Sequence, residues 1–332
     1  MLNIAQAGVG YWGPNLLRNL MMNGKCKVHS VVDISKERQQ YVKSMYPGVR
    51  VTDDFDSVCQ DQDVDAIIIS TPVATHYDLA MKALSNGKHI LVEKPLARSV
   101  QEVEQMNEAA KRSSCLVMVG HTFLFNTAVR YVKGLIDCGE LGDIRYIYSQ
   151  RLNLGRIRSD VDALWNFAPH DISIIQYWLG DPNPVSVFKR GVAYVQENID
   201  DVVFLNIVYP NKIMANIHVS WLDPHRVRSM VVVGAKKMVL YDDIAENKVA
   251  IFDKGIDKRA VLGQNMDFDN QHFRVFDHRS GDVLLPRINF LEPLKVEIDH
   301  FIECIESGTE CITGIDHAKK VVGILQDASN SH

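Results

Sequence analysis

The chain has 332 residues, 46% of them hydrophobic and 23% charged, with a formal net charge of −5. A chain this apolar buries enough surface to offset the entropy of ordering, which excludes disorder as its main state; at about 150 residues per domain its length suits two domains. The acidic balance excludes non-specific nucleic-acid binding, which needs a basic face, but leaves room for a small anionic ligand. No run of 18 apolar residues occurs, so no membrane partner is expected. The six cysteines (26, 59, 115, 138, 304 and 311) form no CxxC pair, and buried reduced thiols are expected of them. The opening MLNIAQAGVG has neither a basic start nor a cleavable apolar stretch, which makes a cytoplasmic location the expectation.

Residues 1 to about 120 alternate short apolar runs with segments of helical period. The runs are Leu2–Ala7, Val28–Val32, Ala66–Ile69, Ile90–Val92 and Leu116–Val119. Between them, segments such as His76 to Leu84 place Leu79, Ala80, Ala83 and Leu84 on one helical face. Strands spaced by helices of this length predict βαβ crossovers and a doubly wound parallel sheet, hence the α/β class. After Thr122 the texture changes. A helix over about Asn126 to Asp137 leads through Gly139 and Gly142 into a strand near Ile144 to Leu152, and a short helix is expected after Pro169-His170-Asp171. From about Pro184 to Phe252 strands dominate; Pro210-Asn211-Lys212 reads as the turn of a hairpin joining Val202–Tyr209 to Ile213–Trp221. This predicts an antiparallel sheet and an α+β second domain. Residues 253 to 290, rich in Asp and Gly, read as loop, and two helices over about Glu292 to Ser307 and Asp316 to Ser329 close the chain.

Gly8-Val9-Gly10-Tyr11-Trp12-Gly13 is a GxGxxG turn between the first strand and a helix beginning at Pro14. That chemistry suits a dinucleotide: one glycine for the tight turn, one for backbone approach to a pyrophosphate, one for close helix–strand packing. The helix N-terminus adds free N–H groups and partial positive charge. Asp33 ends the second strand 20 residues after Gly13. A carboxylate there accepts from both adenosine ribose hydroxyls and repels a 2′-phosphate, favouring NAD over NADP; the alternative is that Asp33 only caps the next helix, with Ser35 in a similar role.

The strand Ile90-Leu91-Val92 runs into Glu93-Lys94-Pro95. Ligands sit at the carboxyl ends of strands in such sheets, so Lys94 falls where a nicotinamide reaches, and Pro95 holds it extended; the alternative is a solvated lysine before a turn. Ser70, Thr71 and Pro72 occupy the equivalent end of the preceding strand, with Thr75 and His76 opening the next helix. These line the cofactor, or Thr75 merely caps. Leu164 to Asp171 (LWNFAPHD) places His170 after a proline and at a helix start, where the helix N-terminus disfavours the imidazolium and keeps a general base neutral. His76 and His121 lie near the same cleft. His218, His272, His278 and His300 have no ligand-like spacing, and with no HExxH motif or Cys/His cluster no metal is expected. Arg151, Asn153, Arg156 and Arg158 precede Trp165 and suit either a diphosphate or a solvated, ion-paired loop.

GVGYWG at the N-terminus, EKP at 93–95, GHTFLFN at 120–126, APHD at 168–171, SWLDP at 220–224 and GAKKMVLYDD at 234–243 together resemble the Gfo/Idh/MocA family of NAD(P)-dependent sugar and polyol dehydrogenases. The resemblance implies a Rossmann domain over 1–121. It also implies an α+β substrate-binding and oligomerisation domain over 122–332, with an open-faced, mostly antiparallel sheet that pairs copies into homodimers or homotetramers; the last helices are free to pack back on the first domain. It places Lys94 and His170 at the two catalytic positions. Within the family, the YWGPNLLRN start and the NLGRIR, LW, APHD and SWLDP set are similar to nucleotide-sugar 3-dehydrogenases, which oxidise the C3 hydroxyl of a UDP-N-acetylglucosamine-type substrate ahead of amination. A uronic acid of that sugar, an inositol or another free sugar are the in-family alternatives, and an NAD-binding regulatory paralogue without turnover is the alternative of another class. Asn166 departs from the family, many of whose members carry Asp there; the charge is lost while hydrogen bonding is kept. On this resemblance Trp165, Asn166, Asp171 and His121 join Lys94 and His170 around the substrate.

Overall fold

The computed structural model describes residues 1–260 and 274–331. The chain forms two units that are not contiguous in sequence. One takes Met1–Asn126, Ile172–Asp181 and the chain from Phe290 onward; the other takes Thr127–Asp171 and Pro182–Asn289.

The first unit holds six parallel strands: β1 (Leu2–Ala7), β2 (Cys26–Val32), β3 (Arg50–Thr52), β4 (Ala66–Ile69), β5 (His89–Glu93) and β6 (Val117–Gly120). Their order, β3-β2-β1-β4-β5-β6, is the doubly wound order whose switch point falls between β1 and β4. Ala7 is level with Val32 on one side and Ile69 on the other, so three strands end together beneath the glycine turn. The crossovers are α1 (Gly13–Met22), α2 (Lys36–Met45), α3 (Phe55–Gln60), α4 (His76–Ser85) and α5 (Val100–Ser113). Strands covered on both faces read as continuous apolar runs. Thus Ala5, Ile67, Ile69, Ile90 and Val92 form one core with Ala80 and Leu84 of α4 and Val103 and Met106 of α5.

The second unit opens with α6 (Thr127–Asp137) and carries eight strands: β7 (Ile144–Leu154), β8 (Ser186–Val192), β9 (Val202–Val208), β10 (Met214–Ser220), β11 (Leu222–Gly234), β12 (Met238–Asp242), β13 (Val249–Ala260) and β14 (Arg274–Leu284). Their order is β14-β13-β12-β11-β7-β10-β9-β8. All neighbours are antiparallel except β7 and β10. The expected hairpin is β9–β10, with Asn211 and Lys212 at positive φ in its turn. Ala215, Ile217 and Val219 point to the buried face, and Met214, Asn216 and His218 to the other.

Two expectations are corrected here. Within 253–290, the residues up to Ala260 and those from Arg274 to Leu284 are not loop but lie in β13 and β14, which pair from Ile251 opposite Leu284 to Ala260 opposite Arg274. Asp253 and Arg279 face each other across that pair at 2.9 Å. Charges are what an edge strand carries against unwanted pairing, and here they hide the apolar alternation. His272 lies outside the described residues. The helix expected to follow Pro169-His170-Asp171 is instead α7 (Ala163–Leu179), with Pro169 inside it. It starts at Asp162, whose carboxylate accepts from the Trp165 backbone N–H at 2.9 Å, an N-cap to the third helical residue.

The chain then returns to the first unit through α8 (Pro293–Ser307) and α9 (Ile315–Asn330). Thr313 accepts from the Val119 N–H at 2.9 Å along the edge of β6, and Ala318 and Val322 of α9 join the core beneath α5.

In the second unit Asp201, fully buried, accepts from the Trp221 indole N–H, and from the backbone N–H groups of Tyr194 and Val195 at 2.7 and 2.8 Å. Replacing it leaves three donors without an acceptor. Asp201→Ala is expected to lose about 2–3 kcal/mol of stability, read as a lower urea midpoint at unchanged m-value.

Candidate active site and dinucleotide cradle

The glycine turn is built from below. Gln6 is buried in the middle of β1, and its amide donates to the carbonyls of Gly8 at 3.0 Å and Gly13 at 2.9 Å, clamping the two ends of the turn. The Ser70 hydroxyl donates to the Gly8 carbonyl at 2.8 Å. A Cβ on Gly8, which has φ +91°, would meet Ser70 backbone at 2.8 Å, and one on Gly13 would meet the Gly8 carbonyl oxygen at 2.5 Å. Gly10 has open space above it, so another molecule can reach the backbone there. Helix α1 follows without a side-chain cap or an acidic residue in its first turn; Pro14 has no N–H and Asn15 donates to the Trp12 carbonyl at 3.0 Å, so what the helix start offers an anion is its positive end. This cradle fits a pyrophosphate.

Asp33 stands beside it. One carboxylate oxygen accepts from the Val9 N–H at 2.7 Å, the other from Ser35 N–H at 2.8 Å, and Ser35 itself caps α2. Asp33 therefore does more than begin a helix: it holds its carboxylate against the glycine turn, where a ribose on the pyrophosphate would lie. Tyr11 is exposed and Trp12 partly so at the rim of the turn.

Two of the expected cofactor-lining residues tie their loops together. Thr75 does not cap α4 with its side chain; its hydroxyl bonds the Thr71 hydroxyl at 2.7 Å and donates to the Pro72 carbonyl at 2.8 Å, closing the 71–75 turn. His76 is buried rather than lining, with one ring nitrogen 2.9 Å from the Pro95 carbonyl and the other 2.9 Å from that of Thr71. Burial pushes its pKa down against the pull of the two carbonyls. It pins the loop after β4 to the loop after β5, and so positions Glu93 and Lys94.

Lys94 follows β5 directly, as expected, and its charge is felt by Glu93, His76 and His121. Glu93 is half-buried, and its pKa is pushed up to about 7 by burial against the opposing Lys94 ammonium, its own loop's N–H and the Trp12 indole. His121, just after β6, is buried, its ring edge-on to that of His317 with centroids 5.4 Å apart. Burial, then His317 and Lys94, holds its pKa well below the ordinary value. His317 in turn meets Asp181 at 2.8 Å.

In the second unit, His170 lies at the start of the third turn of α7, one turn after Asn166 on the same face. It is not at the helix N-terminus, so the dipole argument for its neutrality does not apply. Arg151 and Asp171, expected beside the substrate, form a buried ion pair. Both are buried, and the Arg151 Nε donates to Asp171 at 2.6 Å while the Ser149 hydroxyl donates to the same carboxylate at 2.7 Å. Alternation along β7 puts Ser149, Arg151 and Asn153 on the inward pleat. The arginines therefore do not form one cluster: Arg158 forks onto Asp160 at 2.8 and 2.5 Å, and Arg156 is exposed. Trp165 is held by the Asp162 cap described above. Gln6, His317 and Glu297 are site-forming residues that the sequence did not reveal; an amide inside the apolar strand NIAQA was the available signal for the first.

Metal-ligand side chains meet at two places among the described residues, His300/Cys304/Cys311 and His29/Asp61/Asp63. In the first, His300 Nε2 already accepts from the Ile312 N–H at 3.1 Å and faces the Cys304 thiol at 3.4 Å. Burial pushes the Cys311 thiol up to about 12. In the second, Asp61 is engaged by Arg50 at 3.0 Å.

A switch-point sheet with a clamped glycine turn, an unclaimed helix N-terminus and an acid at the end of β2 defines a dinucleotide-binding protein of the Rossmann type. Residues 2–121 match the oxidoreductase family with an NAD-binding Rossmann fold, and residues 129–240 match the Gfo/Idh/MocA C-terminal domain; the chain belongs to the Gfo/Idh/MocA family of oxidoreductases. It is 27% identical over 325 residues to a scyllo-inositol 2-dehydrogenase (NAD(+)) of Bacillus subtilis, covering 94% of this chain and 89% of that one. It is 24% identical over 331 residues to a 2,7-anhydro-N-acetylneuraminate hydratase of Mediterraneibacter gnavus, covering 96% and 86%. A solved UDP-N-acetylglucosamine 3-dehydrogenase from Acidithiobacillus ferrooxidans shares the fold with a TM-score of 0.79 at 22% identity, covering 98% and 96%. No helix among the described residues is long and apolar enough to cross a membrane.

Gly13→Ala drives a methyl into the Gly8 carbonyl and opens the clamp. Its affinity for NADH is expected to fall more than tenfold, measured by quenching of tryptophan fluorescence.

Proposed function

We propose that this protein uses NAD to oxidise the C3 hydroxyl of a UDP-N-acetylglucosamine-type nucleotide sugar to the 3-keto sugar, as a step in making amino sugars for surface polysaccharides. The observation that carries the dehydrogenase chemistry is Lys94 at the carboxyl end of β5, held by the His76 bridge to Pro95. Asp33 against the glycine turn supports NAD over NADP, since a 2′-phosphate beside that carboxylate is repelled. Bound NAD supplies the hydride acceptor.

Lys94 and His170 divide the work on the sugar hydroxyl. The ammonium of Lys94 stabilises the developing alkoxide, an effect that grows as water is excluded. His170 takes the hydroxyl proton, for which its ring must be neutral beforehand. Asn166, one turn away on the same face of α7, offers an amide where a carboxylate would add charge. Of the arginines, Arg156 is exposed and open to the diphosphate, while Arg158 is forked onto Asp160.

Commitment of Arg151 to Asp171 favours a second reading, a free polyol such as an inositol, which needs no diphosphate ligand. The two are separated by absorbance at 340 nm with NAD and UDP-N-acetylglucosamine, its uronic acid, myo-inositol and scyllo-inositol. Turnover of a UDP-sugar, falling at least 100-fold in Lys94→Ala and His170→Ala, supports the main reading; turnover of an inositol alone replaces it with the second. NAD binding with no turnover of any leaves a binding protein.

The same reading includes a homodimer or homotetramer formed through the open sheet face, and a cytoplasmic setting in keeping with six free thiols. Phe188 on β8, Phe204 on β9, Met214 on β10 and Tyr146 and Tyr148 on β7 are all 39–55% exposed. Phe204 sits opposite Arg190 and His218, and Met214 opposite Tyr146, so these side chains make one aromatic face. An apolar face of this kind marks an interaction surface. Phe204→Glu is expected to convert the oligomer to monomer in light scattering without changing the far-ultraviolet circular dichroism; a monomeric wild type would refute the assignment.

A further inference from the structure

At the carboxyl edge of the parallel sheet two carboxyl groups lie near each other with few partners. Glu297, from α8, is fully buried; one of its oxygens accepts from the Thr122 hydroxyl at 2.8 Å and the other has no partner. Glu93, at the end of β5, also has a buried oxygen without a partner, and its carboxyl lies over Gly120, where a Cβ would be 3.2 Å from it. The groups facing the pair are the Lys94 ammonium and the Trp12 indole on the Glu93 side and the Thr122 hydroxyl on the Glu297 side, with His76 and His121 beyond Lys94. Among the described residues, the charged group that acts on Glu297 is Glu93. A buried carboxylate without a cation is costly, and two neighbouring carboxyls do not both ionise readily.

We infer that Glu93, buried beside a protonated Glu297, acts as a charge sensor for the nicotinamide, releasing its proton to solvent when the cationic oxidised ring binds and keeping it when the ring is neutral. The inference rests on the NAD-binding reading above. Its geometry is the location of the pair, directly beside Lys94 and joined through Trp12 to the glycine turn. Burial followed by Glu93 pushes Glu297 well above the ordinary carboxyl range, and Glu93 is raised to about 7. Glu297 thus stays neutral while Glu93 titrates near physiological pH. An ionised Glu93 favours a positive ring and is indifferent to a neutral one, so oxidised cofactor is held more tightly as pH rises, and the preference for it shrinks as pH falls.

The test measures dissociation constants for NAD⁺ and NADH from pH 6 to 8 by calorimetry, in two buffers of different ionisation heat. The expected result is an NAD⁺ affinity that rises several-fold across this range, approaching the limit of about tenfold per pH unit for one proton, with proton release on binding NAD⁺ and little change for NADH. Glu93→Gln should flatten the NAD⁺ profile while both dinucleotides still bind, and Glu297→Gln, whose amide stands in for the neutral acid, should keep it. A wild-type NAD⁺/NADH ratio that does not change with pH overturns the inference and leaves dinucleotide binding intact. A pH dependence that survives in Glu93→Gln assigns the proton to His76 or His121 and also overturns it. Failure of the wild type to bind either dinucleotide removes this inference together with the reading it rests on.

Discussion

One buried amide holds the functional end of the first unit in shape. Gln6 sits where β1 is otherwise apolar, and a primary amide with no water near it must spend its hydrogens on protein carbonyls. The two it finds belong to Gly8 and Gly13, the first and last residues of the turn. The positive φ of Gly8 and the missing Cβ atoms at both glycines are what let those carbonyls come within reach. Everything placed on that turn inherits its position from this clamp: the positive end of α1, the Val9 N–H bound by Asp33, and the Trp12 indole that reaches Glu93.

Elsewhere the buried charges divide into two kinds. Asp171 and Asp201 are fully answered, the first by Arg151 and Ser149, the second by an indole and two backbone N–H groups. Such satisfied networks fix a unique arrangement of the second unit. Glu93 and Glu297 are incompletely answered, and they occur at the end of the sheet where ligands of this fold gather. Incomplete satisfaction is costly to a fold, and two buried carboxyls carry it at this edge.

Much of this was legible in the sequence, and the reasons are local. β1, β2, β4, β5 and β6 announce themselves because strands buried on both faces are unbroken apolar runs, and the glycine turn, Asp33 and Lys94 lie at the ends of those runs. What failed was of two sorts. Pro169 resembles a helix start, because proline is favoured in the first turn, yet the stronger signal was the Asp162 cap seven residues earlier. The charged β13–β14 pair lacks the alternation of an interior strand. The remaining misses are matters of long-range pairing: nothing around Arg151 predicts that its partner is Asp171 rather than a diphosphate, and nothing around Glu297 predicts that it ends beneath Thr122, 175 residues away along the chain.

The return of the chain to its first unit has a consequence for biosynthesis. The apolar edge of β6 and the surface of α5 are covered by α9, and the Val119 N–H is satisfied by Thr313. When the glycine turn leaves the ribosome, that cover has not been translated, and the whole second unit must be made before it arrives. The nascent nucleotide-binding half therefore spends most of its synthesis with an uncapped sheet edge and exposed Ala109, Ala110 and Met118, a state of the kind that recruits chaperones. The order of the genetic message, as much as the final contacts, sets when this protein first becomes able to hold its cofactor.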